Sequence, residues 1–317
     1  MSKITCLFTV LLSCLLFVAL FGAEPMEVLS INVRQSMVND GADSWPNRKE
    51  SMLSVIKDRN YDFIGGQEVV IHPNDDLNQV KYMSDNLPGY GCLFLCREKN
   101  PNQGEGAPVF YRKDRWEPDT ADQGTYWLSD TPDVPGSVTW EGQSTCPRIV
   151  TGALFHELGP DGKRTGKSLY VYSTHLDHIG ELARQKSAAL IFDRFEHREN
   201  KEVPMILIGD FNCGERSPVV RFVKGETVEL GGESKTPTMK MLDTFRVVLP
   251  DEKNVVTFNG FRAPRLDGDG NMIGDKIDYI FVTPNLKTTD AEIIRTNKDG
   301  RYPTDHFPIR AIVEFAI

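Results

Sequence analysis

The sequence predicts an α/β protein in which two β-sheets pack face to face with helices on their outer sides. Short apolar runs bounded by turn residues recur along the whole chain and outnumber amphipathic helical segments, and strands and helices do not alternate as βαβα. That order argues against a Rossmann or barrel arrangement. No internal repeat or low-complexity linker divides the chain, so residues 24–317 read as a single domain, long enough to bury a sizeable core.

Taken in order, the predicted strands are Met26 to Val33, Asp62 to Ile64, Pro108 to Tyr111, Ile149 to Phe155, Ser168 to Ser173, Met205 to Ile208, Ile277 to Val282 and Pro308 to Phe315. Two segments carry helical spacing instead. Arg48 to Arg59 brings Met52, Val55 and Ile56 to one face, and Glu181 to His197 brings Ala188, Ile191, Phe192 and Phe195 to another. Leu230 to Lys240 and Arg262 to Lys276, rich in Gly, Pro, Thr and Asp, read as long surface loops.

The first 23 residues stand apart from the fold. Lys3 followed by an apolar stretch from Ile4 to Ala23 matches a signal peptide cleaved near Ala23 and implies an exported protein, periplasmic, envelope-associated or secreted. The same run is long enough to serve as an uncleaved anchor, and Leu11-Leu12-Ser13-Cys14 resembles a lipoprotein box, although the apolar run continues past Cys14. The formal charge of −9 gives no general attraction to a phosphate backbone, and no Lys/Arg stripe interleaved with aromatics is present. Cys92, Cys96, Cys146 and Cys213 remain after the export segment, and the sequence does not choose among their pairings. A structural zinc site is not expected from them.

The chemistry is concentrated at strand ends. Asn32 lies in the closing residues of the first predicted strand, and Gly65-Gly66-Gln67-Glu68 follows the second. Gly209-Asp210-Phe211-Asn212 follows Ile208, and Thr304-Asp305-His306 precedes the last strand. Strand ends converge at one rim of a sheet, so these residues offer hard oxygen ligands beside an imidazole, as an Mg²⁺ or Mn²⁺ phosphoester site requires. Any one of these segments alone is equally an ordinary turn or helix start.

The ordered segments INVR, IGGQEV, GEGAPVFYRKDRW, STHLDHIG, ILIGDFN, GDKIDYIFV and YPTDHFPI resemble the endonuclease/exonuclease/phosphatase superfamily, whose members include DNase I. The resemblance covers essentially all of residues 24–317 and is nearest to an exported bacterial subgroup allied with the deadenylase-like branch. It implies a four-layered α/β sandwich and a divalent metal, Mg²⁺ or Mn²⁺. Carried over residue by residue, it makes Glu68 the main metal-binding carboxylate, with Asn32 and Asp305 near the ion. Asp210 would orient or deprotonate the attacking water, and Asn212 would hold the phosphate. Residues two apart in an extended segment face the same way, which would let both side chains address one phosphate. His306 would be the catalytic imidazole and Asp278 the carboxylate that fixes its tautomer. His175 would be a second imidazole at the scissile phosphate, with Glu105 as its expected carboxylate partner.

His72, His156 and His197 read as structural, and Arg184 and Gln185 as a solvated helix face. His178 and Asp177 could line the pocket or cap the following helix. Asp267-Gly268-Asp269-Gly270-Asn271 begins like a calcium loop but places Met272 where that loop needs Gly and Asp278 where it needs Glu, so a flexible loop is expected. The substrate class implied is a phosphorylated molecule, whether nucleic acid, phospholipid or sugar or inositol phosphate. A monomer with no stable protein partner is expected. The rival reading is a non-catalytic module that binds a phosphoryl ligand in the same cleft.

Overall fold

A computed structural model describes residues 24–316, so the expected signal segment lies outside the described residues. In chain order the first half contains β1 (Met26–Asn32), α1 (Trp45–Lys57), β2 (Phe63–Gln67), β3 (Val69–Ile71), α2 (Gln79–Asn86), β4 (Tyr90–Leu93), β5 (Gly104–Gly106), β6 (Val109–Arg112), β7 (Trp116–Trp127), β8 (Ile149–Leu158) and β9 (Arg164–His175). The second half contains α3 (Glu181–Glu196), β10 (Met205–Asp210), α4 (Pro218–Val223), β11 (Val228–Leu230), β12 (Glu233–Lys235), β13 (Leu242–Asp243), α5 (Thr244–Val248), β14 (Asp278–Val282), β15 (Leu286–Ile293) and β16 (Ile309–Phe315).

Two six-stranded mixed sheets form the centre, ordered β15-β16-β1-β2-β6-β4 and β13-β14-β10-β9-β8-β7. The pairs β1–β2 and β9–β10 are parallel and the other ladders antiparallel. Alternation along the central strands explains the layers. Met26 and Val28 point into the core between the sheets, while Leu29 and Ile31 lie under α1 with Met52 and Ile56. In the other sheet Ile206 and Ile208 face inward, while Leu207 meets Ile191 and Phe195 of α3. Each such side chain contributes roughly 1.5–3 kcal/mol on burial, so a strand apolar on both faces is most stable between two covered faces. The result is the expected four-layered sandwich.

The sheets come very near each other beneath the rim. A Cβ placed on Gly65 of β2 would lie 2.4 Å from Ile208 Cγ2 of β10. The Gly65-Gly66 pair, which alone could have been read as a turn, is thus strand backbone that lets one sheet sit against the other.

Several elements escaped the sequence reading for physical reasons. β7 has few buried residues along its length and offers no apolar run, and β4 is half-buried throughout. The expected loop from Leu230 to Lys240 begins inside a small β11–β12 hairpin. The Arg262 to Lys276 segment is an exposed loop as expected, closed by an isolated bridge between Leu266 and Met272, except that Lys276 is wholly buried against Asp243.

Candidate active site

Strand register brings the rim residues together. Asp210 at the end of β10 stands opposite His175 at the end of β9 and Asp278 at the start of β14. In the other sheet Asn32 ends β1, Glu68 follows β2, and Asp305 and His306 precede β16, the antiparallel neighbour of β1. Thr304 Oγ1 ties the two segments of that sheet by donating to the Asn32 carbonyl at 2.6 Å.

One path of hydrogen bonds and a charge contact crosses between the sheets. Asp278 Oδ2 lies 2.9 Å from His306 Nδ1, so the Nδ1 proton of His306 is directed at Asp278. His306 Nε2 then lies 3.7 Å from Asp210 Oδ2. That same oxygen accepts from Asn32 Nδ2 at 3.1 Å, and the amide donates its other hydrogen to Glu68 Oε1 at 3.1 Å. Asn32 Oδ1 accepts from the Arg34 N–H at 3.0 Å, so Asn32 acts here as a bridge between two carboxylates.

Electrostatics follow from this crowding. Burial, reinforced by the charge of Asp278, pushes the Asp210 carboxyl up to about 7. Burial alone would depress the His306 imidazole, but Asp278 and then Asp210 overrule it and hold its pKa well above the ordinary value. Burial likewise opposes ionisation of Glu68, yet N–H donors from Gln35 and Asn32 keep that carboxyl below its usual range. Asp305 is raised, first by burial, with the Glu68 charge adding to it.

Backbone strain marks the same rim. Arg34, Glu68 and Asn212 are non-glycine residues in the left-handed region, with φ of 53°, 58° and 49°. Such residues cost of order 1–3 kcal/mol each and persist where the surroundings over-determine them. The left-handed Asn212 corrects the expectation of an extended Asp210-x-Asn212 segment. Its N–H donates to Asp210 Oδ1 at 2.9 Å in an Asx turn, and Asn212 Nδ2 reaches His175 Nε2 at 2.9 Å. The turn and the site are therefore one structure, and Asp210 uses one oxygen for each.

A second correction concerns Glu105. It lines the same cavity but forms an ion pair with Arg97 at 2.9 Å, while His175 Nδ1 is buried without a partner among the described residues. β5, which carries Glu105, pairs with β3, and the backbone of Arg97 donates to the Glu105 carbonyl, so the nearest charge is a guanidinium that sequence spacing does not reveal. Burial, followed by Arg148 and Arg97, holds His175 well below its ordinary pKa. It is a neutral imidazole.

Of the ambiguous pair, His178 lies at the cavity wall with Nδ1 2.7 Å from Arg148 Nη2, whereas Asp177 accepts from the N–H groups of Ile179 and Gly180 ahead of α3. Arg184 donates to the Asp177 carbonyl at 2.8 Å rather than standing free on a solvated helix face. His156 joins Ser168 and Asp119, and the Asp267 loop is held by its own turn bonds.

Five residues were not found from sequence. Arg48 is buried and donates to the carbonyls of Val33, Arg34 and Asp43, and at longer range Pro303, clamping the chain entering Asp305 to the end of β1. Thr257 Oγ1 accepts from the N–H groups of Ile277 and Asp278, and its carbonyl accepts from Phe307, so it clasps both sides of the Asp278–His306 pair. Arg97 and Arg148 line the cavity. Phe258, half exposed, packs edge-on against His306 with ring centroids 5.1 Å apart. The cavity itself holds about 570 Å³.

Fold and rim define the class, and residues 29–306 match the Endonuclease/Exonuclease/phosphatase family. The chain belongs to that family, whose architecture and general chemistry are those of phosphoester hydrolases. Among solved structures it is similar to an endonuclease/exonuclease/phosphatase from Bacteroides vulgatus, at 30% identity and TM-score 0.73 over 92% of this chain and 99% of that one. It is also similar to a mannosyl-6-phosphatase from Bacteroides thetaiotaomicron, at 28% identity and TM-score 0.70 over 92% of this chain and 100% of that one. The human Nocturnin catalytic domain with bound sulfate shares the fold at 16% identity, with a TM-score of 0.65 over 92% and 95% of the two chains.

Proposed function

We propose that this chain is a divalent-metal-dependent hydrolase of phosphoester bonds, using Mg²⁺ or Mn²⁺. The observation that carries the reading is the path from Asp278 through His306, Asp210 and Asn32 to Glu68, which spans both sheets and opens on one cavity. The donor set fits a hard cation. Glu68 and Asp305 present carboxylate oxygens on one side of the cavity, and the upward push on Asp305, from burial first and then from the charge of Glu68, is one that a divalent ion would offset. Asp210, Asp278 and His306 also place ligand atoms within 4.8 Å of one another. Because His306 Nδ1 and Asp278 Oδ2 already share a proton, we assign the ion to Glu68 and Asp305, with Asn32 holding Glu68 in place.

When bound, the ion neutralises charge on the phosphoryl oxygens. The protein's own groups do the rest. Asp210, with its carboxyl near 7, is poised to orient a water and accept its proton at neutral pH. Asp278 fixes His306 with Nε2 toward the cavity, where it stabilises charge developing on the phosphoryl group. Asn212 Nδ2, which donates to the Leu176 carbonyl and to Nε2 of neutral His175, would turn the hydrogen now given to His175 to a phosphoryl oxygen. The cavity volume and the flanking rings of Phe258 and Phe261 suit a small phosphorylated molecule, and similarity to a mannosyl-6-phosphatase supports a sugar phosphate. We also propose, on residues 1–23 alone, that the protein acts outside the cytoplasm.

The test is a screen of residues 24–317 on DNA, RNA, bis-p-nitrophenyl phosphate, phosphoinositides, sphingomyelin and mannose 6-phosphate, with Mg²⁺ or Mn²⁺ and again in excess EDTA. Hydrolysis that depends on metal is expected. Full activity in EDTA would remove the metal, and no hydrolysis of any substrate would leave a phosphoryl-binding module.

A further inference from the structure

The cavity wall away from Glu68 and Asp305 carries a charge that the reaction described above leaves unused. Arg148, immediately before β8, is 3% exposed and lines the cavity, yet its Nε and Nη1 have no hydrogen-bond partner among the described residues. Its single hydrogen-bond partner is His178 Nδ1, and its nearest carboxylate, Asp177, is 3.8 Å away and already accepts from Ser144, Ile179 and Gly180. Beside it Arg97 is satisfied by Glu98 and Glu105. A buried guanidinium with two unmet donors is costly in a protein interior, more so than a neutral group left unpaired. The charges of Glu105 and Asp177 offset part of that without supplying the missing hydrogen bonds, and the neighbouring Arg97 adds repulsion.

We propose that Arg148 receives the non-bridging oxygens of a terminal phosphate and so selects phosphomonoesters over phosphodiesters. This deepens the reading of the cleft as a phosphoester site and rests on it. A monoester carries between one and two negative charges at neutral pH and three free oxygens. A metal held by Glu68 and Asp305 would take part of that charge, and the forked donors of Arg148 match the oxygens turned to the opposite wall. In a diester one of those oxygens bears a second carbon substituent. Turned toward Arg148, that substituent would leave the buried donors unmet, a penalty that discriminates more strongly than a lost favourable contact. His178 acts as a positioning residue, since its Nδ1 lone pair holds the guanidinium plane.

Binding in EDTA separates this inference from the hydrolase reading. Residues 24–317 are titrated with methyl phosphate and with dimethyl phosphate, alongside Arg148→Met and Arg148→Lys. The unaltered chain should bind methyl phosphate at least about tenfold more tightly, and Arg148→Met should abolish the preference. Arg148→Lys, which keeps the charge but not the fork, should retain only part of it. Without ligand, Arg148→Met should melt no lower than the unaltered chain, because an unsatisfied buried charge has been removed.

Equal binding of the two esters overturns the proposal, as does a preference that survives in Arg148→Met. If Arg148→Met does not fold, a full preference retained by Arg148→Lys overturns it and a reduced one supports it. Turnover on p-nitrophenyl phosphate and bis-p-nitrophenyl phosphate, measured with metal, tests the other reading. Absence of both activities with the methyl phosphate preference intact would defeat hydrolysis and leave the recognition standing.

Discussion

Two buried polar clusters sit at opposite ends of the same central strands, and they are built to different rules. At the end where β1 and β2 begin, Asp62 accepts from the Glu27 N–H, from Trp116 Nε1 at 3.1 Å and from Arg115 at 3.0 Å. Arg115 in turn donates to the carbonyls of Glu24 and Pro25 and to Glu157. Opposite charges alternate there. At the other end Glu68, Asp210, Asp278 and Asp305 crowd around His306, three neighbouring residues hold left-handed backbones, and Arg148 and His175 keep unmatched polar atoms. The first cluster fastens the sheets together. The second tolerates strain and like charges, which is the pattern of a surface prepared for something that arrives later.

That contrast can be broken by substitution. The largest effect should come from Glu68→Gln, expected to lower turnover by about 10³ or more with a thermal midpoint changed by no more than about 2 °C. A collapsed midpoint with normal turnover per folded molecule would make the rim a structural cluster. Asp62→Ala should do the reverse. It leaves Arg115 buried without its main partner and should cost about 3–5 kcal/mol of stability in denaturant titration, while turnover of the folded fraction stays unchanged. Loss of turnover in proportion to Glu68→Gln would erase the distinction between the two ends.

Next in size is the pair Asp278 and His306. Each alanine substitution should reduce turnover about 10²-fold, and the double variant should lose much less than the product of the two. Additive losses in folded variants would show that the 2.9 Å contact does not act as a unit. The smallest effect belongs to Thr257→Val, which removes the oxygen that accepts from Ile277 and Asp278. A cost of about 1–2 kcal/mol is expected with a few-fold fall in turnover, and Thr257→Ser should restore both.

The rim was legible because its residues adjoin apolar runs. Asn32, Glu68 and Asp210 each mark where a core strand stops and His306 stands just before one starts, and β1, β10 and β14 announce themselves by being apolar on both faces. Arg48 and Thr257 were not legible because they act on backbone carbonyls and amides, which every residue possesses. Glu105 was placed in the right cavity with the wrong partner, since the fold of β5 onto β3 decides which charge it meets. Arg148 carries no periodicity and sits just before a strand, and only its burial without partners singles it out. The Asn212 reading failed on a local fact, a left-handed residue where an extended one had been expected.

Gly65 sets the clearance between the two halves of the machinery. Half of the reacting groups ride on one sheet and half on the other, and the contact with Ile208 lies in the core near their meeting point. A single methyl at that position would act as a wedge, and the displacement would be felt at Asn32, the residue that joins Glu68 to Asp210. Alignment in such a molecule is a property of the gap between its sheets. Heating, pressure or a repacked core that alters this gap by tenths of an ångström should therefore detune the chemistry well before the chain begins to unfold.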